Sequence, residues 1–255
     1  MERRAWTRGE LLIAFSYYCQ TSFGQLHKNN PEIIELAKSL NRTPSALAMK
    51  LVNFASLDPV QQERNVRGLS NVSAADKRIV QDFAADWTNL VLESERAREK
   101  LSRIGTEIHG ELPDSTSELN RHEEERLVLV RRVQSFFRRT VLSSYQEQCA
   151  MCLLNVPALL TASHIIPWKT DVTRRADPTN GLSLCALHDR AFDRGLITLN
   201  EKHCIVVSQE LLKDPVCVLH RSAFHQLEGQ PLLKPDRFSP DPSTLEFHRR
   251  NIYVG

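Results

Sequence analysis

Cys149 and Cys152 are separated by two residues, and Cys185 and His188 repeat that spacing further along the chain. Two such pairs are a common way to bring four soft ligands to a tetrahedral zinc ion, with sulfur at about 2.3 Å and nitrogen at about 2.0–2.1 Å. A metal held by four side chains has no open position. Its role is then structural, tying a strand region to a short helix where the core is small. The alternative is two buried pairs without a metal. A single C-x-x-C leaves the two readings balanced, and the second pair tips the balance toward zinc. Of the remaining cysteines, Cys19, Cys204 and Cys217 lack such partners and read as core or strand residues.

Between the two pairs lie Ser163-His164-Ile165-Ile166-Pro167-Trp168 and Asn180-Gly181-Leu182, and the second pair runs on into Asp189-Arg190-Ala191-Phe192-Asp193-Arg194-Gly195. This order resembles the HNH endonuclease family, in the branch with His-Ile-Ile-Pro-Trp and Phe-Asp-Arg-Gly signatures, from Phe137 to Leu199. The resemblance implies a ββα-metal site, two strands and a helix gripping one divalent cation against a scissile DNA phosphate. By position, His164 corresponds to the general base that takes a proton from the attacking water, a role suited to a group titrating near 6.5. Asn180 corresponds to the central Asn, which orients the base or ligates the metal. Asp189 stands where many relatives carry a third His.

Asp193 lies four residues beyond Asp189, so on a helix the two carboxylates share a face. Adjacent carboxylates repel, and a bound cation is the simplest way to stabilise them. An oxygen-rich shell favours magnesium or manganese. Taken singly, these residues have ordinary readings: a buried histidine, an Asn-Gly turn, and solvated helix charges paired with Arg190 or Arg194. Their order between the two pairs carries the nuclease reading. One position departs from it. Many relatives have an acid immediately before the base, and this chain has Ser163. Either Asp189 and Asp193 carry the cation, or the scaffold is a non-catalytic zinc-containing DNA-binding or regulatory protein. An RNase using the same site ranks last, since nothing resembles an RNA-binding platform. Restriction or phage defence is the setting that the resemblance implies.

Elements must hold these groups. Glu123 to Tyr145 reads as a basic helix with Val130, Val133, Phe136 and Phe137 inward. Short strands follow, then a helix near Ala186 to Arg194 stopped by Gly195, then a hairpin of Leu196 to Leu199 with Cys204 to Val207. The proline-rich tail ending in His248-Arg249-Arg250 reads as a surface wrap. Residues 105–120 lack periodicity and read as a linker between a helical module, 1–104, and a nuclease domain, 121–255. The expected class is α+β, with an N-terminal helical bundle, tri-helical and helix-turn-helix-like, ahead of a zinc-stapled ββα-metal HNH domain.

In the first module, Glu10 to Gln20 is amphipathic, Pro31 opens a second helix, and Thr43 with Pro44 starts a third. Ser73 caps a helix that runs through Trp87 into the charged stretch Glu93 to Arg103. Trp6 with the three short helices resembles a Myb/SANT-like unit, whose last helix would lie in the major groove. That resemblance implies Arg42, Ser45, Lys50 and Asn53 as DNA contacts; a structural or protein-binding bundle is equally open.

Arg131 and Arg138, with Arg132 and Arg139, form a basic cluster that could serve as an electrostatic footprint. Net charge is only +2, so bulk charge says little. At 41% hydrophobic and 25% charged, the chain is globular in composition. It has no apolar run near the roughly 18–20 residues of a bilayer span. Its N-terminus is polar and unlike a secretory signal, so a cytoplasmic protein with reduced thiols is expected. The expected partner is DNA, with no organic cofactor. Cutting both strands from one site per chain calls for a homodimer.

Overall fold

The computed structural model describes residues 4–64, 72–104, 118–213 and 217–255. The chain divides into two compact units, Met1–Phe136 and Phe137–Gly255. The expected linker over 105–120 lies outside the described residues as far as 117.

The first unit is helical, with α1 (Arg8–Gln20), α2 (Pro31–Ser39), α3 (Pro44–Ala55), α4 (Pro59–Glu63), α5 (Ala74–Ala85) and α6 (Trp87–Ile104). The next helix, α7 (Glu118–Ser144), spans the division between the units. Most of these starts are written locally. Thr7 and Glu10 form a capping box on α1. Asn30, Thr43 and Asp58 cap α2, α3 and α4, each followed by a proline in the first turn, and Ser73 caps α5. The helix expected to run unbroken through Trp87 is two helices. Asp86 leaves helical geometry with φ −153° and ψ 83°, and its carboxylate accepts from the Asn89 N–H at 2.9 Å, starting α6.

Helix α1 is buried from Glu10 to Cys19 because α3, α5 and α6 all pack on it. Phe15 meets Phe83 and Phe54 with ring centroids 4.8 and 5.0 Å apart. Three carboxylates are buried among the described residues of this unit: Asp58 accepts from the Tyr18 hydroxyl at 3.2 Å and the Val60 N–H at 2.9 Å, and the other two are matched by cations. Glu10 binds Arg4 at 2.6 Å and Arg42 at 3.0 Å, and Asp76 binds Lys50 at 2.8 Å. The Arg42 and Lys50 charges also lie over the Trp6 ring, 4.5 and 5.2 Å from its centroid.

This arrangement corrects the expectation for α3. Arg42, Lys50 and Asn53 face inward, and only Ser45 of the four is exposed. The reason is that a buried carboxylate demands a partner, and α1 and α5 present theirs to α3.

The second unit combines helices with two small sheets. Strands β1 (Leu160–His164) and β2 (Gly181–Cys185) pair antiparallel, with His164 opposite Gly181 and Ser163 opposite Leu182. Helix α8 (Ala186–Asp193) follows β2 directly and packs on both strands. Strands β3 (Ile197–Leu199) and β4 (Ile205–Val207) form the expected hairpin, and α9 (Val218–Ala223) and α10 (Pro242–Asn251) follow. Phe137, Val141 and Tyr145 of α7 share one apolar core with Leu160, Leu182, Leu184, Phe192 and Leu199.

The tail is not a surface wrap. Asp241 caps α10, Leu245 and His248 are buried, and the Val254 N–H donates to the Gly195 carbonyl at 3.0 Å. Gly195 has φ +70°, and a side chain there would strike the Ile252 carbonyl. Among the described residues no helix is long and apolar enough to cross a membrane.

Burial alone would raise the Glu10 carboxyl, but hydrogen bonds from Arg42, Arg4 and the Thr7 N–H outweigh it, bringing the pKa from 4.5 to about 2. A carboxyl depressed in this way stabilises the fold above about 4.5 and loses that contribution as pH falls toward 2. Glu10→Gln is expected to cost on the order of 3 kcal/mol at neutral pH. It should also flatten the acid limb of stability, which thermal melts across that pH range would measure.

Candidate active site and metal cluster

The ligand atoms of Cys149, Cys152, Cys185 and His188 all lie within 4.8 Å of one another, so these residues can hold a metal ion. Local chain geometry builds each half. The first pair sits in a tight loop in which the Leu153 N–H donates to the Cys149 carbonyl at 2.9 Å, with Leu153 at φ 62°. The second pair spans the start of α8, where Cys185 is the N-cap.

The His188 Nδ1 lies 3.2 Å from the Cys185 sulfur and 3.5 Å from that of Cys149. Its Nε2–H donates to the Ala223 carbonyl at 3.0 Å, which fixes the tautomer and leaves the Nδ1 lone pair among the thiols. Crowding shows in the protons: hydrogen bonds with Cys149 and Cys185 push the Cys152 thiol up, while those with Cys149 and Cys152 pull Cys185 down. Three sulfurs and one imidazole nitrogen form a donor set suited to a tetrahedral soft ion. Of the other cysteines, Cys19 is buried as expected, Cys204 is partly buried, and Cys217 is exposed, capping α9 from its sulfur.

Beside the cluster is a cleft of ≈ 490 Å³. Strand β1 lends it Ser163 and His164, α8 lends it Asp189, Arg190 and Asp193, and Arg194 follows from the end of that helix. The His164 ring stacks on Phe137, with centroids 3.7 Å apart and planes at 11°, and meets Trp168 edge-on at 5.5 Å. Phe137 fits beneath it because the residue opposite His164 is glycine. A Cβ on Gly181 would come within 2.5 Å of Val141 Cγ2 and 2.8 Å of Phe137 Cζ. The His164 Nε2–H donates to the Arg175 carbonyl at 3.1 Å, so Nδ1 is the unprotonated nitrogen. Burial lowers the imidazole pKa from 6.5, and the Arg175 carbonyl offsets this only in part.

Asp189 is half-buried and Asp193 mostly open to solvent. Partial burial raises both carboxyls. The Ser163 hydroxyl pulls Asp189 back, while the charge of Asp189 raises Asp193 further. Asn180 lies outside this cleft lining and is 1% exposed. Its Oδ1 accepts from the Ile166 N–H at 2.8 Å, and its amide donates to the Ile166 carbonyl at 3.1 Å. Those bonds engage its side chain with the loop that leaves β1.

His248 was passed over in the sequence. Its Nδ1 accepts from the Thr198 hydroxyl at 2.9 Å, its Nε2–H donates to the Phe192 carbonyl at 3.1 Å, and its ring stacks on Phe192 at 3.7 Å. Burial lowers its pKa to about 4, so it is a neutral brace between α8, β3 and α10. Asp241-Pro242 was the available signal, since that pair marks a helix start and sets Leu245 and His248 on one face. Arg174 is a second such brace, binding Asp241 at 2.8 Å. On α7, Arg131 and Arg138 are both exposed, and Arg138 also donates to the Pro157 carbonyl at 3.4 Å.

Residues 149–200 match the family model described as HNH endonuclease. Among solved structures, one titled "Modification dependent TagI restriction endonuclease" aligns at 18% identity and a TM-score of 0.31, over 46% of this chain and 39% of that one. A likeness of that size establishes no shared fold. Comparison with curated proteins gives no match.

Metal analysis of the full-length protein is expected to find one tightly bound ion per chain. Cys185→Ser should lose it and abolish cooperative unfolding of the C-terminal unit, since binding energy at such a site is largely folding energy. Elemental analysis beside thermal melts checks both.

Proposed function

We propose, from the match of residues 149–200 to the HNH endonuclease family model, that the protein is a metal-dependent endonuclease hydrolysing DNA phosphodiester bonds. One observation carries the reading: His164 from β1 and the carboxylates of Asp189 and Asp193 from α8 open into the same cleft.

In this reading His164 is the general base. Its Nδ1 takes a proton from water as the water oxygen bonds to phosphorus. The bond from phosphorus to the 3′ oxygen breaks, and the departing oxygen takes a proton from solvent. Magnesium or manganese, held by Asp189 and Asp193, would supply positive charge against the phosphate and the leaving oxygen. Phe137 sets the plane of the base. Asn180 is a positioning residue, holding the loop that follows it.

The four-ligand cluster takes structural zinc and fastens the start of α8, one residue before Asp189. Arg131 and Arg138 supply exposed charge for phosphates. Cutting both strands calls for a homodimer, and restriction of foreign DNA is a setting that suits the activity. A second reading, a zinc-containing DNA-binding scaffold that does not cut, draws on Ser163 standing where an acid is common.

Purified protein with Mg²⁺ or Mn²⁺ is expected to nick plasmid DNA. His164→Ala should slow cutting by about 10²–10⁴-fold with DNA binding and zinc content unchanged. Wild-type protein inert on every DNA tried, yet binding it, would favour the scaffold.

The pH profile adds an independent check. A lowered imidazole pKa keeps the base neutral past its ordinary value, so the rate should hold as pH falls through 6.5 and drop only below it. Single-turnover rates between about pH 5 and 8 would show a drop already above 6.5 if that assignment were wrong.

A further inference from the structure

Ser163 precedes His164 on β1 and is 2% exposed. Its hydroxyl has no hydrogen bond of good geometry, although it lies on the wall of the cleft that holds Asp189 and Asp193 and is near enough to Asp189 to draw its carboxyl pKa down. A buried polar group left unsatisfied costs about 1–3 kcal/mol, so an alanine in this strand would serve the fold as well or better. The hydroxyl costs the fold, and Asp189 is a carboxylate that shares its cleft.

Resting on the reading of the cleft as a divalent-cation subsite, we propose that Ser163 is a positioning residue for it. When the cation is bound, the Ser163 hydroxyl would turn to donate to the Asp189 carboxylate and hold it in the orientation in which it shares the cation with Asp193. The hydroxyl does this without adding charge. Two carboxylates neutralise a dication, whereas an acid at position 163 would leave the loaded site negative where a phosphate must approach.

The test is a Mn²⁺ titration of the full-length, zinc-loaded protein, with free Mn²⁺ read by electron paramagnetic resonance and thermal melts taken without Mn²⁺. Ser163→Ala is expected to weaken Mn²⁺ binding about tenfold, the lower end of the effect of losing a contact to a metal ligand. Its melting temperature without Mn²⁺ should hold or rise, because an orphaned donor is gone. Ser163→Thr, which keeps the hydroxyl, should bind Mn²⁺ as the wild type does. If Ser163→Ala lowers the melting temperature together with affinity, the role is structural and the proposal falls. Unchanged affinity in Ser163→Ala, with Asp189→Asn losing the ion, overturns this inference alone. Unchanged affinity in Asp189→Asn as well removes the cation subsite and both readings with it.

Discussion

The candidate site depends on how an eight-residue helix is held. Helix α8 carries both carboxylates, and a helix that short has no stability of its own in water. Its orientation must come from its ends and its buried face. At the start, Cys185 and His188 belong to the four-ligand cluster, and the far side of His188 is fixed by the Ala223 carbonyl. At the end, Gly195 turns the chain in a conformation with positive φ that a side chain would block. Between them Phe192 enters the core, stacked against His248. Loosening either end would shift Asp189 and Asp193 relative to β1.

Against that helix stands an imidazole whose surroundings are equally determined. The imidazole of His164 rests on Phe137, which has room only because Gly181 has no side chain. The Arg175 carbonyl selects the tautomer. Asn180 ties down the chain on both sides of Ile166, so the loop leaving β1 cannot drift. The same enclosure makes the imidazole a weaker base than a free one. It also keeps the imidazole uncharged at neutral pH, which is the state a proton acceptor needs.

What the sequence made legible was what local spacing encodes. Thr7, Asn30, Thr43 and Ser73 could be read as caps because a cap bonds to the backbone two or three residues on. The two pairs that can hold a metal were legible for the same reason, as was the sharing of one helix face by Asp189 and Asp193. Long-range pairing was not. Lys50 looked like a surface residue because its partner Asp76 lies on α5, and Arg42 because Glu10 lies on α1. His248 stayed hidden because its partners, Thr198 and Phe192, are brought to it only by the fold. The helix break at Asp86 was missed because the helical spacing of Ile79, Phe83, Trp87 and Leu90 continues across it.

The inward turn of Arg42 and Lys50 bears on what the N-terminal unit can offer a nucleic acid. Both cations are spent on buried carboxylates and on the Trp6 face. Withdrawing Lys50 to meet a phosphate would strand Asp76 inside the bundle, at a cost of about 3–5 kcal/mol, and withdrawing Arg42 would leave Glu10 with Arg4 alone. A single phosphate contact near a protein surface returns less than that. Of the four residues that the Trp6 pattern implies as contacts, only Ser45 is therefore left on an exposed face. The polar residues of α3 specify how α1, α3 and α5 pack, and any phosphate contact by the described residues must come from cations that no buried carboxylate holds, such as Arg131 and Arg138 on α7.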